Sequence, residues 1–154
     1  MGISTDGQLS YGVVFDEYFE FPWDAEKWDG DIEDWWRDVN GFSNPIEYPF
    51  DEKGDYKPGY NGESPVVSEY FRHRSEWLKL NPVPIEVVNY CSCELPMYLL
   101  ASKHMSNSRG TTQKVALEFF RDTDEASQNL AEFLDKYNIE SENDAAWWLT
   151  SCWC

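Results

Sequence analysis

Residues 84–104 read PIEVVNYCSCELPMYLLASKH. Both 84–92 and 97–104 are β-rich runs, and the link CELP between them is short, which predicts a hairpin. Outside the hairpin, residues 8–15, QLSYGVVF, form another strand candidate. Gly12 inside it marks a bulge or a close approach of a second backbone. In the closing segment, AAWWLTSCWC, Trp147, Trp148, Thr150 and Trp153 favour a last strand beside the hairpin, while Ser141 and Asp144 offer caps for a helix instead. Residues 113–120, QKVALEFF, are ambiguous; their shortness and the polar turn before them favour a strand.

The helical signals lie between these runs. Ile32, Trp35, Trp36 and Val39 recur at one helical face, and Asp31, Asp34 and Asp38 fall opposite, so residues 31–39 predict a short helix ended by Asn40-Gly41. Glu33 and Arg37 are spaced for an i, i+4 pair. Ser64-Pro65 opens a second helix that runs to about Leu80, ends at Asn81-Pro82 and carries Arg72, His73, Arg74 and Lys79. Asp122 and Glu125 are spaced as a capping box before a third helix ending near Asn138. The fold class is α+β: a mostly antiparallel sheet of four to five strands with two to three helices packed on it. One domain spanning 1–154 is expected, with a long surface loop at about 42–65 that has room for one small hairpin.

The charge limits the function. The chain has 29 Asp and Glu against 12 Lys and Arg, a net charge of −17 over 154 residues, and 17% aromatic residues, too many for a disordered acidic tail. Phosphates and anionic membrane surfaces repel such a chain, so direct nucleic-acid and membrane binding are disfavoured and a basic protein surface is favoured. No apolar run approaches the length of a membrane span. The start MGISTD fits a loose myristoylation pattern but lacks the polybasic segment of a second anchor, and it has no signal-peptide character. Cytoplasmic, reduced thiols are expected.

The sharpest concentration of charge and rings is residues 18–39, YFEFPWDAEKWDGDIEDWWRDV. The expected partner-binding residues are Glu20, Trp23, Asp24, Glu26, Trp28, Asp29, Asp31, Asp34 and Asp38. Trp23 and Trp28 would be apolar contacts if exposed, and Trp35 and Trp36 core. Along a helix, Asp31, Asp34 and Asp38 would repeat about every 5 Å, a density comparable to duplex phosphates, so the stretch reads as a DNA mimic aimed at a nucleic-acid-binding groove.

Other chemistries are less well marked. Cys91, Cys93, Cys152 and Cys154 form two CxC pairs, and four sulfurs would converge on zinc if their strands were neighbours, although CxC is not the usual zinc spacing. His73 and His104 leave a Ser–His or Cys–His pair open, without a nucleophile elbow. The clustered acids allow glycoside or Mg²⁺ chemistry in principle. A metal-assisted or thiol-dependent small enzyme and a structural, oligomeric component are the alternatives to a binder. No cofactor is expected.

The pieces GISTDGQLSYGVVF, FEFPW, DIEDWW, NYCSCELPMYLLAS and WWLTSCW resemble small, mostly uncharacterised accessory proteins encoded by bacteriophages. The resemblance spans most of the chain as a pattern and carries no active-site residues. It implies an accessory product in the cytoplasm of a bacterial host, with an anti-defence role: binding and inhibiting a CRISPR effector, a restriction enzyme or a polymerase. Such proteins tend to end in an aromatic strand; here Cys152 and Cys154 stand in it.

Overall fold

The computed structural model describes residues 5–92 and 94–153. The chain divides into two compact units, Met1–Pro22 with Pro84–Cys154, and Trp23–Val83.

The first unit is a four-stranded closed barrel of β1 (Thr5–Phe15), β2 (Glu86–Ser92), β3 (Pro96–Asn107) and β4 (Ala146–Trp153), in the order β1-β3-β2-β4. The hairpin forms as its sequence requires, from Cys91 opposite Pro96 to Glu86 opposite Ala101. β3 continues to Asn107 and pairs antiparallel with β1. β4 lies antiparallel to β1 and parallel to β2, so the mostly antiparallel sheet closes on itself. Among the described residues no fifth strand forms from 113–120. Leu117–Phe120 is a 3-10 turn whose Phe119 and Phe120 rings sit 5.4 and 4.9 Å from Trp147. The Lys103 ammonium holds that turn by donating to the carbonyls of Phe119 and Arg121.

Gly12 plays both roles its position suggested. The β1–β3 register slips between Tyr11 and Gly12. A Cβ on Gly12 would collide with the Leu100 carbonyl oxygen and come within 2.9 Å of the Ala101 Cα. Trp148 Nε1 donates to the Gly12 carbonyl at 2.9 Å. With side chains alternating along strands, Val88, Leu99 and Ala101 make one buried cluster, joined by Val14, Tyr90 and Trp148. Val13, Phe15 and Leu100 point the other way and are also buried. α3 (Thr123–Lys136) packs on β1 and β3 and buries Ala126, Leu130 and Phe133. Its expected capping box is absent. Asp122 takes a left-handed backbone, φ 56°, rather than the extended one that aims an N-cap side chain at the first amides, and it makes no cap bond.

The second unit holds α1 (Ile32–Val39) and α2 (Pro65–Leu80), at nearly the bounds the periodicity gives. Between them the chain is loop, with one antiparallel bridge, Phe50 opposite Tyr56, whose rings stack at 4.9 Å. Tyr48 packs edge-on to Tyr70 of α2 at 5.7 Å. Val39, placed by periodicity on the buried face of α1, is 43% exposed. No helix among the described residues is long and apolar enough to cross a membrane.

Candidate functional site

The acidic stretch is ordered by its own tryptophans. Pro22 opens a 3-10 turn, Pro22–Asp24, and Trp23 is only 2% exposed, edge-on to Trp35 at 5.2 Å. Trp23 is therefore part of the scaffold and is not available as a surface contact. Trp35 is equally buried, and half-buried Trp36 donates Nε1 to the Asn81 carbonyl at 2.9 Å. Trp28 is half-buried beneath the Lys27 ammonium, 5.1 Å from its ring.

The carboxylates of α1 do not form a free row. Asp31 is the N-cap, accepting the Glu33 and Asp34 amides at 2.8 and 2.9 Å. Asp34 accepts from both Arg37 and Arg74 through one oxygen, which ties α1 to α2. Arg37 is the reason: its side chain is 7% exposed, so it needs a counter-charge, and Glu33 supplies only a second contact at 3.6 Å. Burial pushes the Arg74 guanidinium below its ordinary value, opposed by the charges of Asp31 and Glu33. Asp38 pairs with Lys27 at 2.6 Å. Asp24, Glu26 and Asp29 are exposed beside them, and exposed Glu20 belongs to the barrel unit.

A second acidic set, which the sequence did not single out, lies in the barrel unit. Where β1 ends, the start of β3, Tyr90 of β2 and the turn 140–143 border a half-open cavity of about 490 Å³. Phe15, Phe19, Tyr90 and Met97 form its apolar walls, and Asp16, Glu140 and Glu142 stand around them. The turn is clamped to β1 by one side chain: Asn143 Oδ1 accepts the Val14 amide at 3.1 Å, and its Nδ2 donates to the Val14 carbonyl at 2.8 Å. The amide thus acts as one more residue of strand beyond Ala146. Sequence reading missed this set because its members come from segments more than a hundred residues apart.

Ser10, His104 and Glu86 line up like a catalytic triad. Ser10 Oγ is 2.9 Å from His104 Nδ1, and His104 Nε2 is 3.9 Å from Glu86. Ser10, however, is 0% exposed, so its hydroxyl satisfies a barrel histidine and meets no substrate in this arrangement.

The two CxC segments are neighbours, as zinc would require, with Cys91 opposite Cys152. Both are half-buried free thiols. Cys93 and Cys154 lie outside the described residues, and among the described residues no three His, Cys, Asp or Glu side chains gather closely enough to hold a metal ion.

The chain matches no family model, no curated protein and no solved structure. Fold and site together define an α+β protein with a closed barrel and two separately scaffolded acidic surfaces.

Proposed function

We propose that this protein is a non-enzymatic binder of a basic protein surface. In this reading it is a phage accessory product of the bacterial cytoplasm that inhibits a host or defence nucleic-acid-binding protein by standing in for DNA. The observation that carries the reading is that the acid excess belongs to folded surface in both units. Trp23–Val83 holds fourteen acidic residues against seven basic, and the barrel unit fifteen against five. Carboxylates held by a packed scaffold present a fixed field, which speeds encounter with a complementary surface and costs little ordering on binding. In the acidic stretch, Glu26 and Asp29 fit a partner-facing role better than Asp31, Asp34 and Asp38, whose carboxylates already support α1.

The test is capture of partners from bacterial lysate on the immobilised protein, with elution by salt and by duplex DNA. The expected partners are DNA-binding, are released by competing duplex, and are lost when Glu26→Lys and Asp29→Lys are combined. Retention that is indifferent to salt beyond about 0.5 M, where screening lengths shrink to a few Å, and indifferent to duplex, overturns the proposal.

A further inference from the structure

We propose that the cavity beside the C-terminal end of β1 is a socket for one basic side chain, lysine or arginine, of a protein partner. The inference rests on the reading of this chain as a binder of basic surfaces and names a place where such a surface would anchor. The cavity, about 490 Å³, is within the size range of ligand sites and far larger than an ion needs. Its walls are aromatic side chains and a thioether. Phe15 is fixed by Phe19 at 4.4 Å and Phe21 at 5.0 Å, and Phe21 in turn meets Tyr98 at 5.8 Å, so the aromatic wall is rigid. Ring faces attract cations, and Met97 adapts to the shape of an alkyl stem.

Charge decides the occupant. Asp16, Glu140 and Glu142 line the cavity, and neither lysine, arginine nor histidine does. None of the three carboxylates makes an ion pair among the described residues, although Asp16 accepts the Tyr18 amide at 2.9 Å. An anion is repelled here, and a neutral apolar group gains nothing from the three exposed carboxylates. A metal ion requires ligands drawn tightly together, and no such group forms among the described residues. Carboxylates spread around an aromatic-walled hollow suit a larger cation with an apolar stem, which lysine and arginine provide. The site is preorganised: Ser141 Oγ donates to the Asn143 carbonyl at 2.9 Å, and Asn143 holds the turn carrying both glutamates on β1.

The experiment titrates the full chain, labelled with ¹⁵N, with N-acetyl-arginine amide and N-acetyl-lysine amide, in which the side chain is the only cation. N-acetyl-citrulline amide is the neutral isostere and butylammonium the free amine. The expected result is amide shifts confined to residues 14–19, 90, 97 and 140–143 with the two basic amides and none with citrulline. Glu140→Gln combined with Glu142→Gln should weaken binding about tenfold at an unchanged melting temperature, and Asp16→Asn serves as an independent variant. Shifts scattered over all acidic surfaces, an equal response to citrulline, or indifference to both variants overturns the proposal. Binding of butylammonium without either amide also overturns it, because it points to a free amine. These probes require no partner. A chain that binds them but captures nothing from lysate refutes the partner reading alone, and salt-sensitive capture without probe binding refutes the socket alone.

Discussion

Replacing Gly12 with alanine tests the barrel at its tightest point. The new Cβ would meet the Leu100 carbonyl and lie 2.9 Å from both the Leu100 carbonyl carbon and the Ala101 Cα, where ordinary contacts are 3.4–4 Å. These are backbone atoms of residues 0% and 1% exposed, so no side chain can swing aside. Overpacking of a core costs about 1–3 kcal/mol even when side chains can adjust, so the upper end applies here. Strain on the Trp148 Nε1 bond to the Gly12 carbonyl adds about 1 kcal/mol. The lower entropy of an unfolded chain with alanine returns about 0.5–1 kcal/mol. The net loss is about 3 kcal/mol. With a urea slope of about 2 kcal/mol/M, the midpoint followed by circular dichroism falls by about 1.5 M. The melting temperature falls by roughly 6–12 °C for a chain of this size. Gly7→Ala is the control in the same strand: its Cβ meets only the Asn107 carbonyl at 4.0 Å, and stability should hold or rise slightly. If Gly12→Ala stays within about 0.5 kcal/mol of the parent, well below the range for an overpacked core, the close approach of β1 to β3 at Gly12 is not there.

Four further outcomes are expected. Asp34→Asn leaves buried Arg37 with Glu33, at 3.6 Å, as its only carboxylate contact, and urea titration should show a loss of about 2–3 kcal/mol, below the figure for a fully buried pair because Asp34 is itself 36% exposed. Ser10→Ala strands His104 Nδ1 inside the barrel, and the same titration should show a loss of about 1–3 kcal/mol. Tyr70 and Tyr90 are pushed above the ordinary tyrosine value, by burial first and then by Tyr48 and Cys91 respectively. The folded chain therefore holds these protons more tightly than the unfolded one, so their contribution is complete below about pH 10 and is lost as pH rises through the folded values; tyrosinate absorbance and urea midpoints at about pH 9 and about pH 11 measure this. Cys91 and Cys152 are opposite each other on neighbouring strands, about 4.8 Å apart at Cα and within disulfide reach. In a chain carrying Cys93→Ser and Cys154→Ser, oxidation by excess glutathione disulfide should therefore yield an intramolecular bond, and mass spectrometry finding only mixed disulfides would contradict the register.

What could be read in the sequence was local. α1 was recoverable because Ile32, Trp35, Trp36 and Val39 keep a 3.6-residue period, and Gly41 takes the left-handed φ of 74° that a stop requires; that Asp31 caps the helix instead of belonging to it was not read. α2 followed from Pro65 and Asn81-Pro82, although Ser64 turns its hydroxyl to the Asn61 amide instead of capping. Gly12 was readable because only glycine tolerates another backbone so close. Barrel closure was not, because the parallel pairing of β2 and β4 depends on strand tilt and leaves no local pattern. Residues 117–120 misled because two adjacent phenylalanines satisfy strand propensity equally well when they cover Trp147 from a turn. The engagement of the acidic row on α1 was not legible for an electrostatic reason: spacing shows where carboxylates fall on a helix, but not that an arginine forty residues away, Arg74, will share one of them.

A ring of strands owes its resistance to sticking to having no border, and this ring is fastened where Cys91 meets Cys152 and Ser92 meets Trp153. If those rungs part, β2 and β4 become borders at once, and β4 already shows water Leu149 at 83% and Trp153 at 48%. The clasp, more than the global unfolding free energy, then governs how readily molecules exchange strands and clump on storage. Mutual repulsion between chains of charge −17 guards it. Warming in high salt, which removes that repulsion, should cloud the solution well below the temperature at which the helices melt.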